Sequence, residues 1–183
     1  DDLDTLARHY GTDKSSTDHN YCPFYERYLP ARDAQITLLE LGVWHGNSLL
    51  MWWEYFEQAT VIGVDRDLSR CQIVADERVK VFRQDQCDEA GLTAIANLAG
   101  GFDVVIDDCS HLSSKTIASF RMLWPYLKPG GWYVIEDLQT SYDVKHYGTE
   151  EACRNPEHPP RNFGARYTAM QWCKRLADEV NAS

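Results

Sequence analysis

Two acidic clusters each follow a short apolar run that is typical of a buried strand, residues 104–106 for the first and residues 132–135 for the second. Neighbouring strands lie about 4.8 Å apart, so carboxylates at their ends must take up protons or share a cation. Oxygen ligands without thiolates select hard ions such as Mg²⁺. The pattern therefore predicts a metal site beside a histidine that can act as a base. The clusters consist of Asp107, Asp108 and His111, and of Glu136 and Asp137.

Only some of these carboxylates can face one ion, because successive side chains of an extended segment point in opposite directions. Asp107 is therefore assigned to a cofactor rather than to the metal. Each residue alone has a simpler explanation, since Asp108 and Asp137 are good helix caps and His111 can be an ordinary hydrogen-bonded loop histidine. Their combination is what indicates a functional site.

The elements that must position these residues begin at residue 36, where short apolar strands start to alternate with helices. This alternation is typical of an α/β fold with a Rossmann-like, doubly wound and mostly parallel sheet. Two helices are expected before the sheet and one after it. The predicted strands are 36–41, 60–64, 79–82, 102–106 and 132–135, and the predicted helices are 3–10, 23–29, 48–57, 68–75, 90–98, 114–127 and 169–180.

The turn 40–48 joins the first strand to its helix, and ligands of open α/β sheets bind at such carboxyl ends. Gly42 and Gly46 lie in this turn, but Trp44 occupies the position of the middle glycine in GxGxxG. Bulky side chains there would keep a diphosphate away from the backbone. The turn therefore favours a cofactor without phosphate, although a glycine-bearing turn can also be purely structural.

Acidic and amide side chains follow the second and third strands. Asp65 lies about 20 residues after Gly42, the spacing at which a carboxylate accepts hydrogen bonds from a ribose. Asp85 and Gln86 would reach an adenine or its ribose from the third strand. Both aspartates could instead cap loops. Three strand ends in register favour cofactor binding.

Composition limits the partners of the chain. The 183 residues include 28 acidic and 18 basic side chains, a net charge of −10 that repels nucleic acids and anionic membranes. We find no apolar stretch near the length of about 20 residues that a membrane span needs, and no secretory signal. Six cysteines without a CxxC pair or zinc-like spacing indicate reduced thiols and a cytoplasmic protein.

Several motifs taken together resemble the metal-dependent sugar O-methyltransferases, a class I family that uses S-adenosylmethionine (SAM). The family includes enzymes that methylate deoxysugars of macrolide and anthracycline-type antibiotics, and relatives that methylate bacterial polysaccharide sugars. The resemblance extends from about residue 8 to residue 142. The segments that carry it are 10–14, 19–21, 40–48, 107–111, 128–131 and 136–142.

The resemblance implies methyl transfer from SAM to a hydroxyl of a small-molecule or oligosaccharide sugar. It implies that Asp108, Glu136 and Asp137 bind Mg²⁺ and that His111 is the general base. Cys109 stands where many relatives have glycine, and homo-oligomerisation is left open. The implied cofactor-binding residues are Glu40, Gly42, Gly46, Ser48, Asp65, Asp85, Gln86 and Asp107.

We expect a single domain, residues 1–183. Class I methyltransferases usually end in two further strands, which are expected to be missing from this chain. Two other functions stay open at this point. A nicotinamide-dependent oxidoreductase would use the same sheet but needs phosphate contacts that the first turn does not offer. A non-catalytic SAM-binding module is compatible with the missing strands. The expected parts are an N-terminal helical lid (1–35), a SAM-binding core (36–137), an acceptor loop (138–162) and a final helix (163–183).

Overall fold

Five parallel strands form one sheet in the order β3-β2-β1-β4-β5. A computed structural model of the protein describes residues 1–73, 77–143 and 168–181. Each predicted strand is present, with bounds that differ by a few residues. The strands are β1 (Thr37–Leu41), β2 (Thr60–Asp65), β3 (Val79–Arg83), β4 (Phe102–Asp107) and β5 (Leu127–Ile135).

Six α-helices flank the described sheet, and several of them begin or end with a recognisable cap. Asp2 accepts a hydrogen bond from the backbone of Thr5 at the start of the first helix, and Gly11 ends that helix in the left-handed conformation. The helices are α1 (Leu3–Tyr10), α2 (Cys22–Tyr28), α3 (Asn47–Tyr55), α4 (Glu89–Ala99), α5 (Ser113–Leu123) and α6 (Ala169–Asn181), with short 3₁₀ turns at Trp124–Tyr126 and Leu138–Tyr142.

The core consists of two apolar layers, one on each face of the sheet. Adjacent strand residues point to opposite faces, so Leu38 packs into the layer of α1, α2 and α3 whereas Leu39 packs into the layer of α4 and α5. On the outside of the second layer, Trp172 of α6 packs against Ile117 of α5. The N-terminal helices are thus part of the core, because Leu3 and Tyr25 are buried in the first layer.

The predicted helix 68–75 is wrong: residues 68–73 form a turn and irregular chain, and residues 74 and 75 lie outside the described part. The side chain of Asp65 accepts a hydrogen bond from the backbone of Asp67, and Asp67 does the same for Ser69. Such local side-chain bonds compete with the helical pattern and favour turns.

Residues 128–131, one of the segments that carry the family resemblance, lie inside strand β5, which begins at Leu127 rather than at residue 132 as predicted. Leu127 pairs with Phe102 and Trp132 pairs with Val104, so the intervening residues bulge out of the ladder. Gly130 in this bulge has a φ of 81°, a conformation that glycine adopts without steric cost.

Most of the predicted acceptor loop, from residue 144 onward, lies outside the described residues. Within the part of the chain that the structure describes, no helix combines the length and the apolarity that a membrane span requires. The five described cysteines form no disulfide with one another, and Cys153 lies outside the described part.

Candidate active site

A cavity of about 1040 Å³ opens at the carboxyl ends of the strands, between the turn after β1 and the loop after β4. Its volume is that of a typical small-molecule site. Five of the eight residues predicted to bind a cofactor line this cavity. They are Gly42, Ser48, Asp65, Asp85 and Gln86.

The other three predicted cofactor residues do not line the cavity. Glu40 is fully buried and accepts a hydrogen bond from the Ser48 hydroxyl at 2.8 Å. Gly46 caps α3 with a φ of 90°. Asp107 accepts from the hydroxyl of Ser119 in α5 at 2.5 Å, because strand alternation turns it towards that helix. Burial raises the pKa of Asp107 to about 7, although the Ser119 bond opposes this.

Gly42 brings the turn after β1 against the loop after β4. Its φ is 95°, and a Cβ atom at this position would lie 1.9 Å from the backbone oxygen of Asp108. A hydrogen bond also joins the two segments, since the backbone N–H of Asp108 donates to the carbonyl oxygen of Leu41 at 3.0 Å. Only glycine can therefore occupy position 42 without displacing the chain that carries Asp108.

Replacing Gly42 with alanine is expected to destabilise the protein by at least about 1–3 kcal/mol, the usual cost of overpacking. The shifted Asp108 loop is also expected to weaken binding of S-adenosylhomocysteine. Urea unfolding and calorimetric titration measure the two effects. Gly130→Ala is the matched control, since Gly130 has a similar φ of 81° with nothing within 4 Å. Equal effects of the two substitutions would contradict the proposed contact.

Asp65 and Gln86 contribute to the cavity in different ways. Asp65 Oδ2 accepts from the backbone of Val43 at 2.9 Å and of Trp44 at 3.3 Å, so this carboxylate holds the first turn in place. The Nε2 atom of Gln86 is buried and has no hydrogen-bond partner among the described residues. An unpaired buried donor costs about 1–3 kcal/mol, which a ligand acceptor in the cavity would remove.

Asp108, His111 and Asp137 each offer a ligand atom, and these atoms lie within 4.8 Å of one another. His111 Nε2 is 3.9 Å from Asp108 Oδ1 and 3.6 Å from Asp137 Oδ2. Burial alone would raise the pKa of Asp137, but hydrogen bonds from Tyr21 and Gln139 and the charge of His111 lower it below its usual value. Two carboxylate oxygens in this space can hold one divalent ion, with the His111 imidazole beside it.

Glu136 lies beside this group but has other partners. The ammonium of Lys14 is 2.9 Å from Glu136 Oε2, 2.5 Å from Asp108 Oδ2 and 3.3 Å from Glu40 Oε1. The hydroxyl of Tyr25 donates to the second oxygen of Glu136. Of the three carboxylates predicted to bind metal, the structure therefore places Asp108 and Asp137 with His111 and pairs Glu136 with Lys14 and Tyr25.

Three carboxylates surround the single positive charge of Lys14. Although burial opposes it, the neighbouring carboxylates raise the pKa of Lys14 well above its usual value, so the ammonium stays charged. Burial in turn raises the pKa of Glu40 to about 7 and of Glu136 to about 8, against the opposing effect of Lys14. This part of the site therefore favours the uptake of a proton or of a further cation.

Strained backbone is concentrated at the same place. Among the described residues, four non-glycine residues have a positive φ. Trp44 and His111 line the cavity, and Asp137 belongs to the three-residue group. A left-handed non-glycine residue costs about 1–3 kcal/mol and is characteristic of functional sites. The fourth is Asn20, which precedes Tyr21.

Sequence reasoning assigned no individual role to Lys14, Tyr21 or Tyr25. The available signal was weak: Lys14 is the one lysine or arginine between Arg8 and Arg27. Its partner Asp108 is 94 residues away in the chain, so no local pattern indicates the contact.

Comparison with known proteins shows the family of the chain. The sequence profile that describes a methyltransferase domain matches residues 39–138. The chain belongs to this methyltransferase family. The matched region begins in β1 and ends directly after Asp137, so it contains both acidic clusters. Family membership confirms the methyltransferase resemblance that the sequence motifs indicated.

Two relatives of this methyltransferase-family chain are named as O-methyltransferases of a rhamnosyl and an olivosyl compound. The chain is 43% identical over 146 residues to the 8-demethyl-8-alpha-L-rhamnosyl tetracenomycin-C 2'-O-methyltransferase of Streptomyces olivaceus, covering 75% of this chain and 38% of the relative. It is 37% identical to the L-olivosyl-oleandolide 3-O-methyltransferase of Streptomyces antibioticus, covering 98% of this chain and 46% of the relative. The chain thus spans less than half the length of these two relatives.

A solved structure shares the fold. The methyltransferase MycE of mycinamycin biosynthesis, in complex with Mg, S-adenosylhomocysteine and mycinamycin VI, superposes with a TM-score of 0.81 at 33% identity. The match covers 97% of this chain and 45% of MycE. The predicted Rossmann-like methyltransferase fold is therefore confirmed.

Proposed function

We propose that the protein is a SAM-dependent O-methyltransferase that acts on a hydroxyl of a sugar or glycoside with the help of Mg²⁺. The observation that carries the proposal is the group of Asp108, His111 and Asp137 at the cavity, since Asp108 and His111 also line its wall. A base, oxygen ligands and a cofactor-sized space are thereby brought together.

The residues of the cavity fit the cofactor. Gln86 presents a buried donor without a described partner, and Gly42 lets the loop that carries Asp108 approach the first turn, so that both border the cavity. We assign cofactor binding to Gly42, Ser48, Asp65, Asp85 and Gln86. When bound, SAM supplies the methyl group as an activated sulfonium substituent.

The metal site is assigned to Asp108 and Asp137, whose oxygens face His111. Glu136 stays a predicted third ligand, although both of its oxygens already accept hydrogen bonds from Lys14 and Tyr25. When bound, Mg²⁺ supplies a positive charge that lowers the pKa of a coordinated hydroxyl.

His111 is assigned as the general base. An alcohol is a poor nucleophile until its proton is removed, and an imidazole is suited to accept a proton near neutral pH. Nε2 of His111 lies beside the Asp108 and Asp137 carboxylates, so the imidazole is next to the proposed metal site. His111 has a left-handed backbone with a φ of 56°, a conformation that is characteristic of functional sites.

The acceptor class is inferred from the relatives. Their names specify rhamnosyl and olivosyl groups, both of which are sugars attached to an antibiotic core. We therefore expect rhamnosides and related deoxysugar glycosides to be the first acceptors to test. The charge of −10 makes a nucleic-acid acceptor unfavourable.

Removal of divalent metal is expected to abolish methyl transfer, and added Mg²⁺ is expected to restore it. Label transferred from methyl-labelled SAM to a panel of rhamnosides, with and without EDTA, measures the effect. Calorimetric titration of the EDTA-treated protein with S-adenosylhomocysteine serves as the control for an intact cofactor site. Full turnover after metal removal would refute the role of Mg²⁺. Cofactor binding without transfer to any acceptor would favour a non-catalytic binding module.

A further inference from the structure

Two carboxylates of the proposed metal site are held in the same way. Each has one oxygen bound by a donor from the N-terminal segment and the other oxygen turned towards His111. For Asp108, Oδ2 accepts from Lys14 at 2.5 Å and Oδ1 lies 3.9 Å from His111 Nε2. For Asp137, Oδ1 accepts from the Tyr21 hydroxyl at 2.6 Å and Oδ2 lies 3.6 Å from His111 Nε2.

The orientation of Asp137 depends especially on such donors. This residue has a left-handed backbone with a φ of 53°, so it follows no regular element that would direct its side chain. Gln139 adds a second bond to the same Oδ1 atom at 3.0 Å. The two donors occupy Oδ1 and leave Oδ2 for a ligand.

Tyr21 is itself held in place. It caps the start of α2, and its ring stacks on that of His19 with centroids 5.3 Å apart and an angle of 14° between the planes. The ring contact therefore survives if the hydroxyl is removed. A phenylalanine at this position would delete the bond to Asp137 and keep the packing.

We propose that Tyr21 is a positioning residue of the metal site: its hydroxyl holds Asp137 Oδ1, so that Oδ2 is directed at a divalent ion. This inference rests on the proposed function. Outer-sphere partners that orient a metal ligand typically contribute about 10- to 100-fold to metal affinity. Tyr21 thus links the N-terminal segment to the metal site, 116 residues away in the chain.

Tyr21→Phe is expected to raise the dissociation constant for Mn²⁺ by about 10- to 100-fold, measured from the free Mn²⁺ signal in electron paramagnetic resonance. The dissociation constant for S-adenosylhomocysteine, measured by calorimetry, is expected to stay unchanged. Tyr28→Phe is the matched control on the same helix, because the Tyr28 hydroxyl makes no hydrogen bond to a described residue while its ring packs on Trp132.

The outcomes separate this inference from the function on which it rests. If the unsubstituted protein binds no Mn²⁺, the proposed metal site fails and the role of Tyr21 fails with it. Mn²⁺ affinity equal in Tyr21→Phe and Tyr28→Phe would overturn the inference alone. A parallel loss of Mn²⁺ and S-adenosylhomocysteine binding in Tyr21→Phe would also overturn it, since that pattern indicates general structural damage.

Discussion

Replacing Lys14 with methionine is expected to destabilise the protein by about 3–5 kcal/mol, the usual cost of removing one partner from a buried ion pair. The Lys14 side chain is 1% exposed and lies within 4 Å of three carboxylates, two of which are almost fully buried. Methionine has a similar length and no charge, so the substitution leaves these carboxylates without their cation. Urea unfolding at neutral pH measures the loss.

The stability that Lys14→Met loses relative to the unsubstituted protein is expected to increase between about pH 5 and about pH 8. In the folded protein burial raises the pKa of Glu40 to about 7 and of Glu136 to about 8, whereas the ordinary value is 4.5. The folded state therefore binds more protons than the unfolded state in this range, and stability falls as the pH rises. The charge of Lys14 opposes the rise of both pKa values. Without this charge, the free energy of unfolding is expected to decrease more steeply with pH.

Lys128→Met is the control for this prediction. Lys128 pairs with Asp103 at 2.8 Å, but both side chains are partly exposed. An ion pair of this kind contributes only about 0–1 kcal/mol. If Lys14→Met and Lys128→Met lowered the free energy of unfolding by equally small amounts, the buried carboxylates around Lys14 would not depend on its charge.

Methyl transfer is expected to fall by at least about 100-fold when His111 is replaced by alanine, since this is the lower range for a positioned base. The left-handed backbone at position 111 adds strain to an alanine variant. His111→Asn is therefore the cleaner variant, because asparagine tolerates this conformation and cannot serve as a base. Single-turnover transfer from labelled SAM at saturating Mg²⁺ measures the rate.

Two measurements distinguish a base from other roles of His111. Mn²⁺ affinity of His111→Asn is expected to match that of the unsubstituted protein if His111 acts as a base, whereas a marked loss would make it a metal ligand. His9→Ala is the control for activity, because His9 is exposed on α1. A rate that stays unchanged in His111→Ala from about pH 6 to about pH 8 would mean that another base operates.

The central strands β1, β2 and β4 could be predicted from sequence because they are parallel and buried on both faces. Such strands appear as continuous apolar runs, and the runs at 60–64 and 102–106 match β2 and β4 closely. The acidic residues that follow the strands must then meet at the carboxyl edge. The prediction of a helix at 68–75 was wrong because it used only the spacing of apolar residues. The side chains of Asp65 and Asp67 accept local backbone hydrogen bonds that favour turns.

The candidate site could be predicted only in part. Asp108 and Asp137 were expected near His111 from their positions after β4 and β5, and the structure places them there. The direction in which each carboxylate side chain points could not be predicted from the sequence. Asp107 turns to Ser119 and Glu136 turns to Lys14 and Tyr25, in both cases through partners on other elements.

The amino-acid sequence by itself determined the strand pattern, the glycine-bearing turn after β1 and the acidic residues at the strand ends, because all of these depend on local periodicity and spacing. Only the tertiary structure decided that Lys14 is buried among carboxylates and that Tyr21 holds Asp137. These contacts join residues 94 and 116 positions apart. A buried charge becomes stable only once the fold supplies its partners, and no local pattern specifies which distant residues they will be.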